Sequence, residues 1–117
     1  MSLERWRVTA KQALSRLPSP EGKRFAVVLE HGTLSVEIYA PRGKDPQNPH
    51  TRDEVYVIAS GRGEFVLESE RRPFGPGDVL FVPARTKHRF EGFTDDFSTW
   101  VFFYGPEGGE TEAASER

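Results

Sequence analysis

The chain changes its pattern of apolar and polar positions at about residue 24. Before it, Leu3, Trp6, Ala10, Ala13, Leu14 and Leu17 recur at spacings of three and four. Arg5, Arg7, Lys11, Gln12 and Arg16 fall on the other face, which predicts an amphipathic helix over 3–17. Ser2 stands where a cap belongs, and Pro18-Ser-Pro20 ends the run. From residue 24 on, short β-branched and aromatic runs follow one another between Gly and Pro breaks. Strands are predicted over 24–30, 33–40, 54–60, 63–69, 79–82, 86–91 and 97–104. The stretch 71–78 reads as a break that closes on Gly75-Pro76-Gly77-Asp78. There Pro76 presets the second position of a type II turn and Gly77 supplies the positive φ of the third. Seven short strands without intervening helices indicate an all-β sandwich or barrel. Residues 105–117 hold no large apolar side chain. They predict a flexible acidic tail behind an N-terminal helical arm (1–23) and a β-domain (24–104).

Composition narrows the chemistry. The 117 residues suit one domain, and 36% hydrophobic with 29% charged residues is an ordinary globular mixture. A net charge of −2 carries no nucleic-acid footprint. No apolar run approaches the ~20 residues of a membrane span, so neither nucleic acid nor membrane is expected as a partner. The N-terminus lacks the apolar core of a signal peptide, and a cytoplasmic protein is the expectation. There are no cysteines, which excludes disulfides, iron–sulfur clusters and thiolate nucleophiles. Imidazole chemistry must come from His31, His50 and His88. His31, beside Gly32 in a turn, reads as a surface residue.

Two stretches could carry a metal. In Asn48-Pro-His50-Thr-Arg-Asp-Glu54 a His and a Glu stand four apart, just ahead of strand vocabulary. A straight strand would separate them by roughly 13 Å. They can share an ion with bonds near 2 Å only if Thr51-Arg52-Asp53 turns the chain. In Gly77-Asp-Val-Leu-Phe-Val-Pro83-Ala-Arg-Thr-Lys-His88 a strand ends at Pro83, and His88 begins the return. Tyr56 and Ile58 share strand parity with Glu54 and should face the interior, Tyr56 as a core residue with a bonded hydroxyl. In 97–104 both faces are aromatic, one for the core and one for a pocket or an oligomer interface. Gly61-Arg62-Gly63 is not a dinucleotide loop, because Val66 occupies the third glycine position.

These residues resemble the cupins. The first cupin motif has the form G-x5-H-x-H-x(3,4)-E-x6-G. His50 matches its second histidine, Glu54 its glutamate and Gly61 its last glycine, while Asn48 stands in place of the first histidine. The nearest candidate for the opening glycine, Gly43, is one residue early. The second motif, G-x5-P-x-G-x2-H-x3-N, is matched by Gly77, Pro83 and His88, with Arg85 at its middle glycine and Gly92 at its asparagine. The resemblance implies a small antiparallel jelly-roll β-barrel. It also implies one divalent metal ion (Fe, Mn, Ni, Zn or Cu) held by His50, Glu54 and His88, with positions left open. For a fourth ligand, Asn48 has the parity of His50. Gln47 has the opposite parity, but Pro46 and Pro49 make the path irregular. Either amide is neutral and should weaken binding of late transition metals. Tyr56, Arg52 and Arg85 are the expected pocket-lining residues, the arginines near the mouth where an anion could pair with them. The function expected is that of a metal-dependent dioxygenase or isomerase acting on a small organic ligand. The alternative is a binding module without turnover. A homodimer is expected from the exposed sheet edge and the apolar helix.

Overall fold

The computed structural model describes residues 6–111. One short helix, α1 (Ala10–Leu14), precedes eight strands. They are β1 (Phe25–His31), β2 (Leu34–Tyr39), β3 (Asp53–Ser60), β4 (Gly63–Leu67), β5 (Glu70–Phe74), β6 (Val79–Val82), β7 (His88–Glu91) and β8 (Ser98–Tyr104). They form two antiparallel sheets, ordered β1-β2-β8-β3-β6 and β5-β4-β7. The chain thus has the all-β architecture expected, as a small barrel whose hydrogen-bond ladders do not close.

Strand alternation decides what lies inside. Tyr56 and Ile58 of β3, Val101 of β8 and Val82 of β6 meet Phe65, Phe74 and Phe90 of the smaller sheet. Tyr56 meets Phe90 edge to face at 4.8 Å between ring centroids. These rings fill the gap between the sheets and fix their separation, so the polar residues at one end of β3 and β7 are held at a set distance.

The hairpin grammar is largely obeyed. The Gly75–Asp78 turn closes through Asp78 N–H to the Gly75 carbonyl at 3.1 Å, with Gly77 at φ +89°. All seven predicted strands agree with observed ones to within two residues at each end, and β6 agrees residue for residue at both ends. The strand predicted over 86–91 begins at His88. One strand was not predicted. β5, Glu-Arg-Arg-Pro-Phe, lies in the stretch taken as a break. It is an edge strand, exposed except at Phe74, so it needs neither apolar alternation nor a full set of N–H donors, and Pro73 is tolerated.

The helix is much shorter than the pattern predicts. Thr9 caps it, accepting from Gln12 N–H at 3.1 Å while the Gln12 amide oxygen accepts from Thr9 N–H at 2.9 Å. That capping box sets the start at residue 10, and Pro18 limits the far end. Trp6, counted in the apolar stripe, is 71% exposed, whereas Ala13 is buried where α1 meets β2. Leu3 and the Ser2 cap lie outside the described residues. Among the described residues no helix is long and apolar enough to cross a membrane.

Residues 105–111, expected as part of a flexible tail, are hydrogen-bonded to the β-domain. Thr33 Oγ1 accepts from Gly105 N–H, the Thr51 carbonyl from Gly108 N–H and Asp53 Oδ2 from Glu110 N–H, at 3.1, 2.6 and 2.8 Å. The Thr51 hydroxyl donates to Glu107 at 2.6 Å. This segment forms a strap across the bend that leads from His50 to Glu54. Residues 112–117 lie outside the described part.

Candidate metal centre

His50 sits in the loop before β3, and Glu54 is the second residue of that strand. The chain bends at Thr51 and Arg52 between them, as a shared site requires. Two bonds tie this bend to the turn after β6. Asp53 Oδ1 accepts from Ala84 N–H at 2.9 Å, and the His50 carbonyl accepts from Arg85 N–H at 2.6 Å. That turn delivers His88 at the start of β7. Arg85, where the motif has glycine, takes the left-handed conformation with φ +64°.

The three side chains converge. Potential ligand atoms of His50, Glu54 and His88 all lie within 4.8 Å of one another. Glu54 Oε1 is 3.0 Å from His88 Nε2 and 3.8 Å from His50 Nε2. Glu54 and the His88 side chain are fully buried, while His50 reaches partly into solvent. The Glu54–His88 contact is short, yet neither Glu54 oxygen has an aligned hydrogen-bond partner. A buried carboxylate left without partners is costly, and a divalent cation at this point removes the cost. The His88 ring is correctly presented for it. Nδ1 is 2.8 Å from the Thr86 carbonyl, which only accepts, so the proton sits on Nδ1 and Nε2 keeps its lone pair toward Glu54. The residues therefore fit a metal ion.

Electrostatics follow from burial and crowding. Burial lowers the His50 pKa, with His88 adding to it and Glu54 opposing. For His88 burial works the same way, but the nearby Glu54 carboxylate and the Thr86 carbonyl, both of which favour the protonated ring, outweigh it and raise the pKa. Burial and the Glu54 charge push the Tyr56 phenol well above its usual range, so it stays protonated. Its hydroxyl is 3.0 Å from Gln47 Oε1 and 3.1 Å from His88 Nε2.

Beside the centre lies a cavity of about 660 Å³, whose lining includes His50, Gln47, Val101 and Phe103. Lys23, Arg24, Arg42 and Lys44 line it, with Glu37 as a carboxylate in the wall. Burial, and then the Glu54 charge, raises the Glu37 pKa to about 7. None of the four cations, nor Glu37, Tyr39 or Asp45, stood out in the sequence. They come from the segment just before β1, from β2 and from the proline-containing loop after it, and only the tertiary fold sets them around one space.

Three residues expected to line the pocket are not in the lining of this cavity. Arg52 does not line the cavity. Its guanidinium lies over the Phe103 ring at 5.9 Å and donates to the Thr33 carbonyl. Arg85 is exposed, and its guanidinium lies beside Gly108 of the strap. Tyr56 is buried in the core behind Gln47 and does not line the cavity. Of the two amides, Asn48 is exposed and Gln47 faces the histidines, because Pro46 and Pro49 break the strand parity on which Asn48 was favoured. His31 is exposed at the end of β1.

The chain is similar in sequence and fold to several known proteins. An uncharacterised Streptomyces coelicolor protein is 36% identical over 68% of this chain and 77% of its own. The dimethylsulfoniopropionate lyase DddQ of Ruegeria pomeroyi is 30% identical over 89% of this chain and 56% of its own. Acireductone dioxygenase 1 of Pectobacterium atrosepticum is 35% identical over 81% of this chain and 58% of its own. The chain thus spans little more than half of these two enzymes. Among solved structures, a cupin 2 conserved barrel domain protein from Salinispora arenicola superposes with a TM-score of 0.65 at 21% identity, over 90% of this chain and 89% of the other. The profile of the cupin domain matches residues 35–104, and with β2 to β8 inside that match the chain belongs to the cupin family.

Proposed function

We infer that this cupin is a metal-dependent enzyme acting on a small organic anion. The observation that carries the reading is the pair of unpartnered, buried Glu54 oxygens beside two histidine nitrogens, one of them on His50, which also lines a cavity together with four cations. His50, Glu54 and His88 would hold the ion, which when bound supplies a Lewis acid to polarise a substrate oxygen. The surrounding residues have separable tasks. Arg24 and Arg42 attract the anionic end, and their mutual repulsion lowers the Arg24 pKa after burial has done so. Val101 and Phe103 give the cavity an apolar wall. Glu37 holds its proton up to about 7 in the metal-free protein, and a bound cation nearby favours its ionised form, which is the form that accepts a proton.

Two relatives carry names of matching scale. One is a dioxygenase of acireductone and the other a lyase of dimethylsulfoniopropionate, both small organic molecules. They support a metal-assisted oxygenation or a proton-transfer reaction such as isomerisation or elimination. The second reading, a binding module without turnover, is favoured by the absence of a third imidazole at the centre.

One experiment separates these. Apoprotein is reloaded with Fe(II), Mn(II), Ni(II) or Zn(II) and offered enediol, keto-acid and short carboxylate substrates, with and without O₂. Oxygen uptake with product identifies the dioxygenase. Product without O₂ identifies proton-transfer chemistry. A rise in melting temperature without product identifies the binding module. If His50→Ala and His88→Ala bind as much metal as the wild type, the metal centre itself is wrong.

A further inference from the structure

The loop ahead of His50 brings an amide oxygen up to the metal centre, and its aim is fixed from behind. Gln47 Oε1 lies 3.1 Å from His50 Nε2 and accepts from the Tyr56 hydroxyl at 3.0 Å. On the other side its Nε2 donates to Asp45 Oδ2 at 2.8 Å. A carboxylate only accepts, so the amide nitrogen must face Asp45 and the oxygen must face the histidines. Asp45 is itself held. It accepts from Phe90 N–H of β7 at 2.9 Å and from the Tyr39 hydroxyl of β2. Both sheets thus position one loop carboxylate, and that carboxylate orients the amide.

The spacing suits ligands on one ion, with the Tyr56 hydroxyl as a hydrogen-bonded bridge between two of them. Going round the centre, the steps from His50 Nε2 to Gln47 Oε1, to Tyr56 Oη, to His88 Nε2 and to Glu54 Oε1 are 3.1, 3.0, 3.1 and 3.0 Å. The step back to His50 Nε2 is 3.8 Å. Bonds of about 2.1 Å at right angles put neighbouring donors roughly 3 Å apart. Gln47 Oε1 therefore stands to His50 as Glu54 stands to His88.

We propose that Gln47 supplies a fourth donor, a neutral amide oxygen, to the divalent ion held by His50, Glu54 and His88, with Asp45 as its positioning residue. This rests on the metal-centre reading above and deepens it. It also locates the replacement for the missing imidazole one residue before the position the motif assigns, at Gln47 rather than Asn48. An amide oxygen in place of a third imidazole makes the set harder, which favours Mn(II) and Fe(II) relative to Zn(II) and Cu(II).

The test uses the full chain, stripped by chelation. Mn(II) binding is read by electron paramagnetic resonance, Zn(II) by chelator competition and Co(II) by its visible absorption. Gln47→Leu should weaken Mn(II) binding by about tenfold or more and change the Co(II) spectrum. Gln47→Glu should tighten Mn(II) binding, and Gln47→His should shift preference toward Zn(II). Asp45→Asn should weaken Mn(II) binding by about tenfold, because it no longer dictates which way the amide faces. Asn48→Ala should change nothing. If Gln47→Leu leaves both the Mn(II) affinity and the Co(II) spectrum at wild-type values, Gln47 is only a hydrogen-bond bridge and the proposal is overturned, while the three-residue centre survives. If Gln47→Leu does not fold, a Gln47→Glu protein that folds and binds Mn(II) no more tightly than wild type overturns it as well. A wild type that takes up no metal removes both readings together.

Discussion

Gly61 and Arg85 occupy two glycine positions of the cupin motifs, and only one of them needs glycine for space. A Cβ on Gly61 would stand 2.4 Å from the Cα of Phe97, a backbone atom that cannot step aside, at a φ of +87°. Gly61→Ala should therefore destabilise by about 3 kcal/mol or more and lower Tm by more than about 10 °C in thermal unfolding. Arg85 bears left-handed strain of about 1 kcal/mol in the open. Arg85→Gly releases it but loosens the unfolded chain by a similar amount, so Tm should move little. Glu37 gives the pH prediction. Its pKa rises from the usual 4.5 to about 7 on folding, through burial and then the Glu54 charge. The folded state thus holds this proton more tightly than the unfolded one. The stability it contributes is full below pH 4.5 and is lost as pH rises through 7. In metal-free protein, Glu37→Gln should match wild type at pH 4 and exceed it at pH 8, by about 1 kcal/mol after screening at the open mouth. With metal bound, the cation favours the ionised carboxylate and the difference should shrink.

At the scale of elements, the centre depends on two segments that share Asp53. This carboxylate is 5% exposed and accepts from Ala84 of the β6–β7 turn and from Glu110 of the strap. Asp53→Ala should strand two N–H groups, destabilise by about 2 kcal/mol in urea titration and weaken metal binding with every ligand residue intact. Elements also show what the sequence could reveal. Alternation and Gly/Pro breaks are local signals, so seven of the eight strands and the Gly75–Asp78 turn were legible. So was the need for a bend between His50 and Glu54, since strand rise alone forbids their meeting. β5 was not legible, because an exposed edge strand selects neither apolar residues nor their spacing. The helix was overread because helical spacing does not report where a capping box begins. Gln47 was a minor candidate because parity ranks residues only on a regular path, and Pro46 and Pro49 remove that regularity. Its orientation comes from Asp45, Tyr39 and Phe90, which meet only once both sheets are in place.

The whole molecule has a net charge of −2, yet four of its cations line one cavity. The opposite side of the larger sheet is apolar. On its edge strand β6, Val79 and Phe81 are 65% and 50% exposed. Open edges and apolar faces are where chains associate. A homodimer is the expected outcome, read as a sedimentation mass near twice 13.2 kDa that Phe81→Lys returns to one. A 13.2 kDa species at all concentrations would remove this expectation.

The strap of residues 105–111 has a consequence away from chemistry. It grips Thr51 and Asp53, the two residues on either side of Arg52 in the bend between His50 and Glu54. Coupling of this kind is reciprocal: whatever steadies the bend steadies the strap, and tension on the strap reaches the bend. A fluorophore or a protease site built into this segment would therefore report the occupancy of the centre from the surface. A bulky fusion attached there would act on that interior as a handle.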